Sequence, residues 1–190
     1  MNIIYRPAKK GEGKAIARYI ISAWPVEDMV ATVPGMTVAD MEAAVADLIE
    51  EEGNMYSWDH NIVAVDADLD KIIGVMTAYD GADYAHYKIR ALERMHMGPD
   101  SPYSHVVESD ASEFYLDSVG VDSAYRGHGI ASRLFQEHID RAVALGYKRI
   151  GLIVDIDKPK AEALYTRLGF KVVGTRDFMG HLMKHMVYEA

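Results

Sequence analysis

Arg126, Gly127, His128 and Gly129 stand together in the stretch VGVDSAYRGHGIASRLF, between a β-like run and a helical one. A strand that turns through glycines into a helix makes an anion site. The first helical N–H groups there have no intrahelical partner and carry the positive end of the dipole. Gly127 and Gly129 permit unusual backbone angles and close ligand approach, while Arg126 offers a planar cationic fork or a structural contact. Phosphate is the natural guest, and a plain strand-to-helix turn is the alternative. His128 lies in the same loop within reach of a phosphate, with solvent exposure the simpler expectation.

Known phosphate motifs narrow the choice. A P-loop needs G-x-x-x-x-G-K-[ST], and the early GEGKAIA has neither the Ser or Thr nor the upstream glycine. The dinucleotide fingerprint G-x-G-x-x-G is half met by Gly127 and Gly129, with Ser132 in the third place and Asp155 further on than a ribose-binding acid usually lies. A Rossmann-type NAD(P)-binding protein therefore stays open as an alternative.

The elements that must position this loop can be read from periodicity. NIIYRPA is a strand stopped by Pro7, and Ile16, Ala17, Ile20, Ile21 and Trp24 share a face of a helix over residues 14–24. Pro25, Pro34 and Gly35 break the chain. Thr37 then caps a helix carrying Met41, Ala44, Val45, Leu48 and Ile49, which ends at Gly53-Asn54. Residues 61–65 and 71–79 form a hairpin. Residues 80–112, with a helix over 84–94, read as an insertion and candidate lid whose Tyr, His and Met content suits packing. A strand follows over 113–121. The next helix, 129–145, places Ile130, Leu134, Phe135, Ile139, Ala142 and Val143 inside, and Gly146 stops it. A strand ending at Asp155, a helix over 159–168 and two closing strands complete the order. A hairpin followed by a βαβ unit implies an α/β (α+β) class with a mixed sheet flanked by helices.

Composition excludes several classes. A chain of 190 residues can bury one core, and its net charge of −9 argues against general nucleic-acid binding. The absence of cysteine removes disulfides, thiolate metal sites and a cysteine nucleophile. No apolar run approaches a membrane span, so a cytoplasmic protein with no membrane partner is expected. No metal is expected either: H-E-x-x-H is absent, and His181 and His185 in a strand stand about 13 Å apart from the per-residue rise.

Two segments carry a family resemblance. LDSVGVDSAYRGHGIASRLF resembles the acetyl-CoA-binding segment of the GNAT superfamily of N-acyltransferases, with Arg126, Gly129 and Ala131 in register. KPKAEALYTRLGF resembles the family's second segment through Ala161, Leu164, Tyr165, Gly169 and Phe170. The likeness is close over residues 113–175, while the N-terminal half matches in element order alone. It implies a single GNAT-like domain over 1–190 that transfers an acetyl group from acetyl-CoA to a primary amine of a small molecule or peptide, in a ternary complex. By the same resemblance the pantetheine arm lies along the backbone at Val119 and Val121. The pyrophosphate rests on the amides of Arg126, Gly127, His128, Gly129, Ile130 and Ala131, and Tyr165 protonates the departing CoA sulfur. Lys158 stands where the family often has Asn, and as a point charge it would turn toward a cofactor phosphate.

Amines have pKa values near ~10, so the transfer needs a proton acceptor at neutral pH. Alternation along the strand places Glu113, Tyr115, Asp117, Val119 and Val121 on one face, which makes Asp117 the carboxylate nearest the cofactor and the candidate base. Proximity of two bound substrates without a dedicated base is the other route. A backbone N–H, that of Val119, is the candidate to stabilise the carbonyl oxygen. The acceptor site is expected along residues 25–35 and the last strands, with Trp24, Glu27 and Asp28 drawing a cationic amine. Polyamine, aminoglycoside, amino acid and protein N-terminus all stay open, as do monomer and homodimer. A non-catalytic acyl-CoA or nucleotide-binding sensor is the rival reading.

Overall fold

In the computed structural model, which describes residues 1–178 and 180–190, seven strands pair in the order β1-β2-β3-β4-β5-β7-β6. They are β1 (Ile3–Pro7), β2 (Asn61–Asp66), β3 (Lys71–Asp80), β4 (Phe114–Val121), β5 (Arg149–Asp155), β6 (Lys171–Phe178) and β7 (His181–Glu189). The helices are α1 (Gly13–Ile21), α2 (Val26–Ala31), α3 (Val38–Glu50), α4 (Tyr84–Arg94), α5 (Ile130–Ala144) and α6 (Pro159–Arg167). Among the described residues β4 and β5 are the one parallel pair, because α5 crosses between them; the other pairs are antiparallel. This mixed sheet excludes the doubly wound parallel sheet of the Rossmann reading.

Local chemistry accounts for most boundaries. Thr37 and Asp40 form a reciprocal capping box that starts α3, and Pro159 opens α6 at a first-turn position. The expected helix over 14–24 stops at Ile21, leaving Trp24 in the following turn, and α3 stops at Glu50. Helix α2 fills part of the segment expected to be broken. Its six residues bury only Met29 and Val30, too few to show a period. Val143, expected inside α5, is 46% exposed.

Two apolar cores cover the two faces of the sheet. One gathers Ile16, Ile20, Met41 and Leu48 of α1 and α3 with Tyr79 and Tyr115, and the other gathers Leu134 and Phe135 of α5 with Met76, Phe114 and Leu116. Residues 80–112 contribute Tyr84, Leu92, Met95, Met97 and Tyr103 to the first core, so their aromatic and Met content does pack.

The sheet is irregular where the site lies. Thr77 pairs with Ser118 but the next residue, Ala78, pairs with Leu116, so Asp117 is the extra residue of a β-bulge. An inserted residue shifts the alternation by one position. The shared face expected for Glu113 through Val121 is therefore wrong: Tyr115 belongs to the first core, whereas Val119 and Val121 pack against the second. Strands β4 and β5 pair only at Phe114–Ile150 and Tyr115–Gly151 and part beyond them. Helix α1 crosses β4 so closely that a Cβ on Gly120 would run into the Tyr19 carbonyl.

Candidate active site

A cleft of about 600 Å³ opens where β4 and β5 part. Its walls come from both cores. Trp24, Met29, Met55, Tyr56, Leu92 and Met95 line it from the first, and Val119, Val154, Ala161 and Tyr165 from the second. The cleft thus reaches both faces of the sheet through the gap that the missing strand pairing leaves.

Two carboxyl groups look into its first-core half. Asp117, at the bulge, accepts from the Tyr79 hydroxyl at 2.7 Å and from the Ser118 hydroxyl, and Ser118 in turn accepts from the Trp24 indole at 2.9 Å. Glu108 accepts from the Tyr84 and Tyr115 hydroxyls, each at 3.2 Å. Desolvation by the surrounding protein, with the Asp117 charge added to it, pushes Glu108 up to about 8. Asp117 is also raised by desolvation, against the hydrogen bonds from Ser118 and Tyr79. Such a pair titrates as one unit. Lys88 lines the same half and donates to the carbonyls of Ser104 at 2.8 Å and Val106 at 2.6 Å, which holds the segment leading to Glu108. Burial lowers the Lys88 ammonium below its ordinary value.

On the second-core side, the Tyr165 ring packs 5.0 Å from that of Phe135, and burial raises its hydroxyl, which stays protonated at neutral pH. Lys158 lines the cleft just before α6. The loop from Arg126 to Gly129 leads into α5, with Gly127 at φ +82° and Gly129, the N-cap, at φ +77°. A Cβ at either glycine would meet nothing within 4 Å, so the space in front of the loop is open. The first amide of this turn with a helical acceptor is that of Arg133, bonded to the Gly129 carbonyl, which leaves the amides of Ile130, Ala131 and Ser132 for a ligand. A pyrophosphate fits this cradle. Arg126 makes the structural contact, its Nε donating to the Val121 carbonyl at 3.3 Å. His128 is exposed, its Nδ1 3.1 Å from the Arg126 carbonyl. The Ile130 side chain is buried, so it presents only its backbone.

The structure thus brings Asp117, Val119, Lys158 and Tyr165 to one cleft and places residues 126–131 at the α5 N-terminus, where the Arg126 amide, expected to face a phosphate, is instead bonded to the Ser123 carbonyl. Glu27 and Asp28, expected to attract the amine, are exposed on α2 and do not line the cleft. Glu113 is fully buried against His185 at 2.9 Å and Arg149 at 3.1 Å. The sequence reading missed Glu108 and Lys88; no local spacing marks either, since only the folded segment carries them to β4. Among the described residues no group of three or more His, Asp or Glu side chains is placed to hold a metal, and no helix is long and apolar enough to cross a membrane.

Comparison with known proteins agrees with this geometry. Over 67 residues the chain is 39% identical to the N-alpha-acetyltransferase RimI of Mycobacterium tuberculosis (strain ATCC 25618 / H37Rv), a match covering 34% of this chain and 39% of that protein. An uncharacterized protein of Mycobacterium leprae (strain TN) is 41% identical over 64 residues, covering 34% of this chain and 17% of that one. The chain therefore spans well under half the length of either relative. The crystal structure of an acetyltransferase superposes with a TM-score of 0.76 at 29% identity, covering 98% of both chains. An N-acetyltransferase from Staphylococcus aureus Mu50 shares the fold, with a TM-score of 0.82 at 21% identity over 97% of this chain and 99% of that one. Residues 33–170 match the model of the GNAT acetyltransferase family, and the chain belongs to that family of acyltransferases.

Proposed function

We propose that this chain is an N-acetyltransferase that moves an acetyl group from acetyl-CoA to a primary amine by direct attack within a ternary complex. The observation that carries this reading is the single cleft between β4 and β5, which joins Tyr165 on one face of the sheet to the Glu108 and Asp117 carboxyls on the other. Acetyl-CoA supplies an activated thioester. The amides of residues 127–131 hold its pyrophosphate, Lys158 adds a positive charge, and the β4 backbone beyond the bulge, with no strand partner on the β5 side, takes the pantetheine arm.

The residues then divide the proton work. Glu108, raised to about 8, is close enough to the pKa of an amine to take its proton, with Asp117 holding the companion charge. The Val119 N–H is the donor that would stabilise the carbonyl oxygen as charge develops on it. Tyr165, kept protonated by burial, gives its proton to the departing sulfur and recovers one from solvent. A C–N bond forms, the C–S bond breaks, and the products are an amide and free CoA thiol.

Calorimetric titration with acetyl-CoA, with NADH as comparator, tests the ligand. Thiol release on adding amines tests turnover, and a cysteine-free chain adds no background to it. Amine-dependent thiol release supports the reading. Ligand retained without release identifies a non-catalytic binding protein, and binding of NADH alone overturns the assignment.

A further inference from the structure

The acceptor half of the cleft has an uneven chemistry. Met29, Met55, Tyr56, Leu92 and Met95 are all buried core residues, and the Trp24 ring packs at a tilt 5.2 Å from that of Tyr56. Carboxylates reach this half at one place, Glu108 and Asp117, where the charge of Asp117 already acts on Glu108. The third lining carboxylate, Asp155, ends β5, accepts from the Asp157 amide at 2.8 Å and faces His181 at 3.8 Å. The Lys88 ammonium, close enough to Glu108 to act on its charge, supplies positive charge beside the pair. A second cation placed among these walls would be desolvated without a carboxylate to pair it. An apolar body there would instead gain from every methylene it buries.

We infer that the acceptor is a primary amine with one cationic centre on an alkyl or aryl body, its nitrogen at Glu108 and Asp117 and its body among Trp24, Met29, Met55, Tyr56, Leu92 and Met95. This rests on the N-acetyltransferase reading and narrows it against polyamines, aminoglycosides and polar peptides. Each of those brings further charge or backbone polarity against a wall that offers no carboxylate beyond Glu108 and Asp117.

The test is a thiol-release series at fixed saturating acetyl-CoA, run beside the calorimetric titration of acetyl-CoA itself. Straight-chain amines from propylamine to hexylamine, 2-phenylethylamine, 1,5-diaminopentane, spermidine, kanamycin and a tetra-alanine peptide are compared. The expected result is a rise in kcat/KM of roughly fourfold per methylene until the cleft is full. 1,5-Diaminopentane should fall at least about 100-fold below hexylamine, its near-isostere. Leu92→Ala should flatten the methylene series while leaving acetyl-CoA affinity unchanged. Equal or better turnover of the diamine, spermidine, kanamycin or peptide overturns the inference and leaves the acetyltransferase reading intact. Acetyl-CoA binding with no release from any monoamine also overturns the inference. Failure to bind acetyl-CoA overturns the acetyltransferase reading itself.

Discussion

The Tyr79 hydroxyl donates to Asp117 Oδ2 at 2.7 Å, a bond that joins β3 to β4 at the residue where their register slips. The bulge turns Asp117 toward the first core and the following valines toward the second. One inserted residue therefore places a carboxylate on one side of the sheet and the Val119 and Val121 side chains on the other.

Removing that carboxylate should cost stability as well as rate. Asp117→Ala leaves the Tyr79 and Ser118 hydroxyls without their acceptor, at about 1–3 kcal/mol for each buried group left unpaired. Asp117→Asn keeps an acceptor oxygen and should lose less than half as much. Urea unfolding of the three proteins checks the order, and equal losses for both variants would refute the hydrogen-bonding role.

Glu108→Gln should lower kcat/KM by about 100-fold at neutral pH. In the parent protein kcat/KM should rise with pH through about 8 as Glu108 becomes the free base, and the variant should lack this limb. The gap should narrow at high pH, where the amine arrives already neutral. A pH profile that is unchanged in the variant assigns the proton to another acceptor.

The same group makes a stability prediction of definite sign. The folded protein holds a proton on Glu108 from the ordinary value near 4.5 up to about 8, a window in which the unfolded chain has lost it. Stability is therefore greatest at the acid side of this window and falls as pH rises through it. Asp117, also raised, contributes with the same sign. Glu108→Gln should flatten the fall in Tm between pH 5 and 8.5, readable by scanning calorimetry at a series of pH values.

Tyr165→Phe keeps the ring that packs on Phe135 and removes only the hydroxyl. The expected outcome is a drop in kcat of about 100-fold with acetyl-CoA affinity within a factor of about three. Stopped-flow thiol detection together with calorimetry separates the two effects. A variant that loses affinity as much as rate would make Tyr165 a binding residue.

Gly129→Ala and Gly146→Ala form a matched pair, because both glycines hold a positive φ, +77° and +93°, and neither would crowd a Cβ. Each substitution should cost roughly 1–2 kcal/mol of backbone strain. Only Gly129→Ala, at the N-cap of α5, should also weaken acetyl-CoA binding by about tenfold or more. Equal affinity in both variants would remove the pyrophosphate from this loop.

The glycine loop, the helix that follows it and the second segment ending in Gly169-Phe170 are legible in the amino-acid sequence, since each depends on spacing within a few residues. Left-handed Gly127 and Gly129, the α5 N-terminus and the placement of Tyr165 on α6 follow from short-range backbone geometry. The mixed sheet is legible too, because a hairpin followed by a strand-helix-strand unit leaves few other arrangements. Long-range pairing decides the rest. Asp117 becomes a bulge only because the register between β3 and β4 shifts there, and the cleft exists only because β5 stops pairing with β4 after Tyr115. Glu108 acquires its high pKa from burial by the packed chain and from the charge of Asp117, against the hydrogen bonds it accepts from Tyr84 and Tyr115. Desolvation and strand register are properties of what the packed chain places around a residue, so a linear reading can name Asp117 but has no signal for Glu108.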